Sequence, residues 1–115
     1  MAAADTAELP SLKPRRFYID GRWVESASGK RLDVVNPATE EAITQIAYGT
    51  REDARRAVDA AARAMPAWMK LTAYDRAKVL KKTADLMRER ADAIARTLTT
   101  EQGKPVAEAK AEVLH

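Results

Sequence analysis

The stretch Ile43-Thr44-Gln45-Ile46-Ala47-Tyr48-Gly49-Thr50-Arg51-Glu52-Asp53-Ala54-Arg55-Arg56-Ala57-Val58 decides the fold, because the period of its apolar residues changes within it. Ile43 to Ala47 reads as a strand. After Gly49, Ala54, Val58, Ala61 and Met65 recur at i, i+4, i+7 and i+11, the signature of one face of a helix. Thr50 is placed to accept from the Asp53 amide while the Asp53 carboxylate reaches back, a capping box that fixes the helix start.

Toward the N-terminus, Asn36-Pro37-Ala38-Thr39 forces a turn and leaves Leu32 to Val35 as the strand facing Ile43 to Ala47. Ser26 to Lys30 is a polar turn. Before it, Asp20-Gly21 lies between Phe17, Ile19, Trp23 and Val24, and such a pair signals a tight hairpin over Arg16 to Ser26. Residues 1 to 16 carry Pro10 and Pro14 without periodicity and are expected to be a flexible arm, with residues 17 to 115 as the ordered part.

Toward the C-terminus, Pro66 is expected to stop the first helix, and Thr72 with Asp75 to cap a second. A break or kink is expected near Arg90, with one long helix to Thr100 as the alternative. Gly103 suits a left-handed helix end, and Pro105 opens a last helix to Leu114. The predicted fold class is α+β: two short antiparallel hairpins followed by three or four helices. Val58, Ala61, Met65, Leu80, Ala84, Met87, Ile94 and Leu98 are expected to point inward. The pattern halts at His115 inside a helix, with no cap, so the chain reads as a truncation whose strand edges something else covers.

Composition narrows the chemistry. The 115 residues contain no cysteine and one histidine, His115, which removes disulfides, thiolate metal sites, a cysteine nucleophile and a His-based triad. With 20 Lys+Arg against 17 Asp+Glu the net charge is +3, and the charges alternate. Glu52 precedes Arg56 and Asp59 precedes Arg63 by four residues, and Asp85 lies among Lys81, Lys82 and Arg88, so solvated ion-paired faces are expected in place of a nucleic-acid stripe. Trp23 and Trp68 are expected to seal core edges. Glu101, Glu108 and Glu112, beside Lys104 and Lys110, read as a helix surface. No apolar run has the length of a membrane helix or a secretory signal. Asp5 and Glu8 argue against organelle targeting by the leader that ends at Arg16. A cytoplasmic location is expected, with neither nucleic acid nor membrane as partner.

The order of motifs carries a resemblance. Phe17-Tyr18-Ile19-Asp20-Gly21-Arg22-Trp23, Val35-Asn36-Pro37-Ala38-Thr39, Asp53, Ala57-Val58, Trp68, Arg76, Ala84-Asp85-Leu86 and Glu101-Gln102-Gly103-Lys104-Pro105 together resemble the N-terminal stretch of NAD(P)-dependent aldehyde dehydrogenases over residues 17 to 114. Thr99-Thr100-Glu101-Gln102-Gly103-Lys104-Pro105 is most similar to the succinate-semialdehyde dehydrogenase branch. The resemblance implies an α+β fragment of an α/β enzyme, the outer part of a Rossmann-like cofactor domain. It implies NAD or NADP as cofactor of a full-length homo-oligomer, an aldehyde as substrate, and a scaffold role for this stretch. The family's catalytic cysteine, base glutamate and glycine-rich cofactor segment lie later in its chain, so no catalytic or cofactor-binding residue is expected here, and no tight NAD(P) binding. Some relatives hold a monovalent cation at positions matching the Val34 and Val35 main-chain oxygens and the Glu101 carboxylate. A free-standing helical module, pairing with a partner chain through its Ala/Leu stripe or its strand edges, is the alternative reading.

Overall fold

A computed structural model describes residues 15–115. The order is β1 (Phe17–Ile19), β2 (Arg22–Val24), β3 (Arg31–Val35), β4 (Ala42–Ala47), α1 (Arg51–Lys70), α2 (Ala73–Glu89), α3 (Ala91–Gln102) and α4 (Val106–Leu114). The expected flexible arm lies outside the described residues except for its last two. Of these, Arg15 bridges in parallel to Ile46, its amide donating to the Gln45 carbonyl at 2.8 Å and its carbonyl accepting from Ala47 at 2.9 Å.

The strands form two separate two-stranded sheets. In the first, Tyr18 faces Trp23, and Asp20 and Gly21 both take positive φ (54° and 74°), as a tight hairpin turn requires. In the second, the register slips between Val34, opposite Thr44, and Val35, opposite Ala42. This bulge adjoins the Asn36 turn, where the Asn36 side-chain oxygen accepts from the Ala38 amide at 2.9 Å. Pleating separates the faces of the first hairpin: Phe17, Ile19 and Val24 are half-buried, while Tyr18 and Trp23 stack outside with ring centroids 5.1 Å apart. Trp23 is thus 58% exposed, contrary to the expectation that it seals a core edge.

Pro66 does not stop α1, which continues to Lys70. A proline this close to the helix end deletes one hydrogen bond, to Ala62, and the last turn is held instead by Leu71 N–H to Trp68 and by the Arg76 guanidinium on the Leu71 carbonyl at 2.6 Å. Thr72 caps α2, Arg90 separates α2 from α3, and Gly103 closes α3 at φ 79°. Pro105 is the N-cap of α4, one residue outside the helix it was expected to begin.

Most of the buried apolar surface lies where α3 meets α4. Ala91, Ala95 and Ala109 are buried there, and with Ala47 they are the buried apolar side chains among the described residues. Alanines let two helices approach closely, and Lys110 to Asp92 and Lys104 to Glu112, both 2.7 Å, bind the rims. The inward assignments fail for five residues. Val58 (66% exposed), Leu80 (64%), Ala61, Met65 and Met87 face solvent, while Ala84, Ile94 and Leu98 are half-buried. The helical period did place them on one side of their helices, but burial also requires a surface opposite. The chain measures only 17 Å along its shortest principal axis, little more than one layer of helices.

Candidate functional site

Two junctions and one cleft bring polar chemistry together. The first junction is built on Asp53, at the third position of α1 and 3% exposed. Its carboxylate accepts from the Thr50 amide and hydroxyl (both 2.9 Å), the Ala27 amide (3.0 Å) and the Ser26 hydroxyl (3.1 Å). Ser26 has one hydrogen to give, and the Tyr48 carbonyl at 2.6 Å competes for it. The Thr50 amide, opposed by the cost of burying the charge and helped by Ala27 and the two hydroxyls, lowers the Asp53 pKa from 3.8 to about 2. The capping box was legible in the sequence. The long-range tie to Ser26 and Ala27 was not, although a small polar turn with unspent donors was its available signal.

This junction also tests a dinucleotide. Among the described residues the one direct strand-to-helix passage runs from β4 into α1, the place where a pyrophosphate uses free amides at a helix N-terminus. Here Asp53 already occupies the Thr50 amide and puts a negative charge where the pyrophosphate would sit. These residues do not fit NAD(P).

The second junction joins the Asn36 turn to the end of α3. A Cβ on Gly103 would lie 2.8 Å from Pro37 Cγ, so the left-handed cap and the proline ring are in direct apposition. Val34 and Val35 end β3 immediately before this turn, half-buried and exposed respectively, and Glu101 lies two residues before Gly103, exposed. The three candidate cation residues therefore belong to elements that meet through Pro37 and Gly103. Among the described residues Glu101 makes no ion pair, and no three His, Asp or Glu side chains gather as a metal-binding group.

The cleft lies between the first hairpin and α1 and has a volume of about 310 Å³. Its floor is Ile19 and Val24; Asp20 and Arg22 line the hairpin side, and Arg56, Asp59 and Arg63 the helix side. The expected pairs on this helix are replaced. Arg63 reaches Asp20 across the cleft at 3.5 Å, and Arg56 approaches Asp53 at 3.6 Å. On α2 the expectation holds, with Lys81 and Arg88 on Asp85 at 3.1 and 3.4 Å.

Comparison with known proteins gives one consistent picture. The profile of the aldehyde dehydrogenase family matches residues 23–115. The chain is 47% identical over 101 residues to glutarate-semialdehyde dehydrogenase of Pseudomonas aeruginosa, covering 88% of this chain and 21% of that protein. It is 44% identical over 99 residues to the NADP(+) succinate-semialdehyde dehydrogenase of Escherichia coli, covering 86% and 20%. Among solved structures, an NADP-dependent enzyme of E. coli superposes with a TM-score of 0.86 at 42% identity, over 88% of this chain and 21% of that one. Betaine aldehyde dehydrogenase of Staphylococcus aureus in complex with NAD+ gives 0.83 at 42% identity, over 86% and 20%. The chain thus spans about a fifth of the length of the relatives it matches.

Proposed function

Because the chain belongs to the aldehyde dehydrogenase family, we propose that it is the N-terminal scaffold segment of an NAD(P)-dependent enzyme that oxidises a semialdehyde, succinate semialdehyde in the first instance, to its carboxylic acid. The observation that carries the reading is the junction of Pro37 with Gly103. It locks the β3–β4 turn to the end of α3 in a segment that is 44% identical to a succinate-semialdehyde dehydrogenase. That chemistry needs a soft nucleophile and a poised base. A chain without cysteine lacks the nucleophile, so its own residues position and cover, and the Asp53 junction leaves the dinucleotide to other parts of the fold. The oligomeric, cytoplasmic enzyme of the family is part of this reading. Val34, Val35 and Glu101 remain its candidates for a monovalent cation, since hard cations prefer main-chain and carboxylate oxygens.

The test is a chimera. Residues 17 to 114 replace the corresponding stretch of the E. coli succinate-semialdehyde dehydrogenase, and oxidation of succinate semialdehyde with NADP+ is followed by absorbance of the reduced cofactor. Turnover within about tenfold of the parent, a loss of under 1.4 kcal/mol in barrier terms, supports the scaffold role. A chimera that folds and tetramerises or dimerises like its parent yet has no activity contradicts it.

A further inference from the structure

The cleft between the β1–β2 hairpin and α1 is not used by the scaffold reading, and its charges are unevenly spent. Asp20 is engaged by Arg63. Arg56 has one partner, the Asp53 carboxylate, and at 3.6 Å that contact is an ion pair beyond hydrogen-bond distance, which leaves the guanidinium's donors unspent. Among the described residues Arg22 and Asp59 make no ion pair or side-chain hydrogen bond, although both line the cleft. Guanidinium donors with capacity left therefore stand on both sides, Arg22 on the hairpin and Arg56 on α1, with the unpaired Asp59 carboxylate about one helical turn beyond Arg56 and with Ile19 and Val24 as the apolar lining.

We propose that this cleft binds a small zwitterion, its carboxylate on Arg22 and Arg56, its ammonium on Asp59 and its methylenes on Ile19 and Val24. Guanidinium forks match a carboxylate in plane and in charge, whereas an ammonium is a compact donor that one carboxylate satisfies. A plain anion meets repulsion from Asp59, and a plain cation meets it from Arg22 and Arg56. Only a ligand carrying both charges leaves none of the three opposed by a like charge. The volume of 310 Å³ corresponds to a width of about 7 Å, the smallest class of small-molecule site, so the spacer between the charges is a short alkyl chain.

The test titrates the 115-residue chain with 6-aminohexanoate, hexanoate and hexylammonium, following amide shifts of residues 19 to 24 and 56 to 63 by NMR. The α3–α4 amides report that the fold is unchanged. The proposal expects saturable binding of 6-aminohexanoate at least tenfold tighter than either singly charged probe. Arg22→Ala removes that advantage, and Asp59→Asn weakens 6-aminohexanoate while strengthening hexanoate. Should Arg22→Ala perturb the α3–α4 amides, Arg22→Lys, which keeps the charge and loses the fork, is expected to weaken 6-aminohexanoate by a smaller factor. Equal affinity for the three probes, or an Asp59→Asn variant that treats hexanoate as the parent does, overturns the proposal.

Discussion

Replacing Gly103 with alanine tests the junction that holds the β3–β4 turn against α3. Gly103 has φ 79° and ψ 4°, where a Cβ costs about 1–2 kcal/mol against its own carbonyl. The added methyl would also stand 2.8 Å from Pro37 Cγ, closer than carbon atoms pack, and relieving such a contact by shifting a packed element costs about 1–3 kcal/mol. The two together give about 2–5 kcal/mol. Pro37→Ala separates them. With Cγ gone the nearest remaining atom is Pro37 Cβ at 3.7 Å, an ordinary contact, so in that background Gly103→Ala loses only the backbone strain, about 1–2 kcal/mol. The coupling between the two substitutions is accordingly the steric part, about 1–3 kcal/mol. Urea unfolding followed by helical ellipticity, in sulfate to keep a native baseline for the weaker variants, measures all four corners of the cycle. Gly103→Ala as stable as the parent, or equally costly with and without the Pro37 ring, would refute the apposition.

Three further outcomes follow from the same geometry. Asp53 has its pKa lowered from 3.8 to about 2, so its contribution is complete above its unfolded value and is lost as pH falls toward 2. Asp53→Asn should flatten the fall of the urea midpoint with acidification across that window, and a variant as steep as the parent contradicts the assignment. Pro66→Ala restores the missing bond to Ala62 and should raise helicity, stabilising by about 1 kcal/mol in a urea titration; destabilisation would show that the proline is needed where it is. Ala95→Leu should destabilise by about 1–3 kcal/mol, because Ala95 has no exposed surface, while Leu80→Ser changes urea stability by less than about 0.5 kcal/mol.

The parts of the fold that were legible in the sequence are those fixed within a few residues. Asp20-Gly21 sets its own turn, Thr50 and Asp53 cap each other, and Gly103 ends a helix because a left-handed residue is needed there. Pro66 misled because its cost is local and small near a helix end, where one hydrogen bond is lost and the helix still runs to Lys70. The apolar face of α1 and α2 misled for a different reason. Period tells which side of a helix is apolar, but whether Val58 or Leu80 is buried depends on a surface that no pattern inside the helix describes. The same limit applies to the candidate site. Asp53 was readable as a cap, whereas its bonds to Ser26 and Ala27 span more than twenty residues, and the exchange of Asp59 for Asp20 as partner of Arg63 follows from how the first hairpin lies on α1.

The claim that these residues supply scaffold and no chemistry is tested most directly by assaying the purified 115-residue chain with succinate semialdehyde and other aldehydes, with NAD+ or NADP+, following reduced cofactor. No turnover above buffer is expected, since no residue present can form the thiohemiacetal that hydride transfer requires. Aldehyde oxidation that persists after host dehydrogenases have been removed, and that disappears when the chain is depleted, would contradict it.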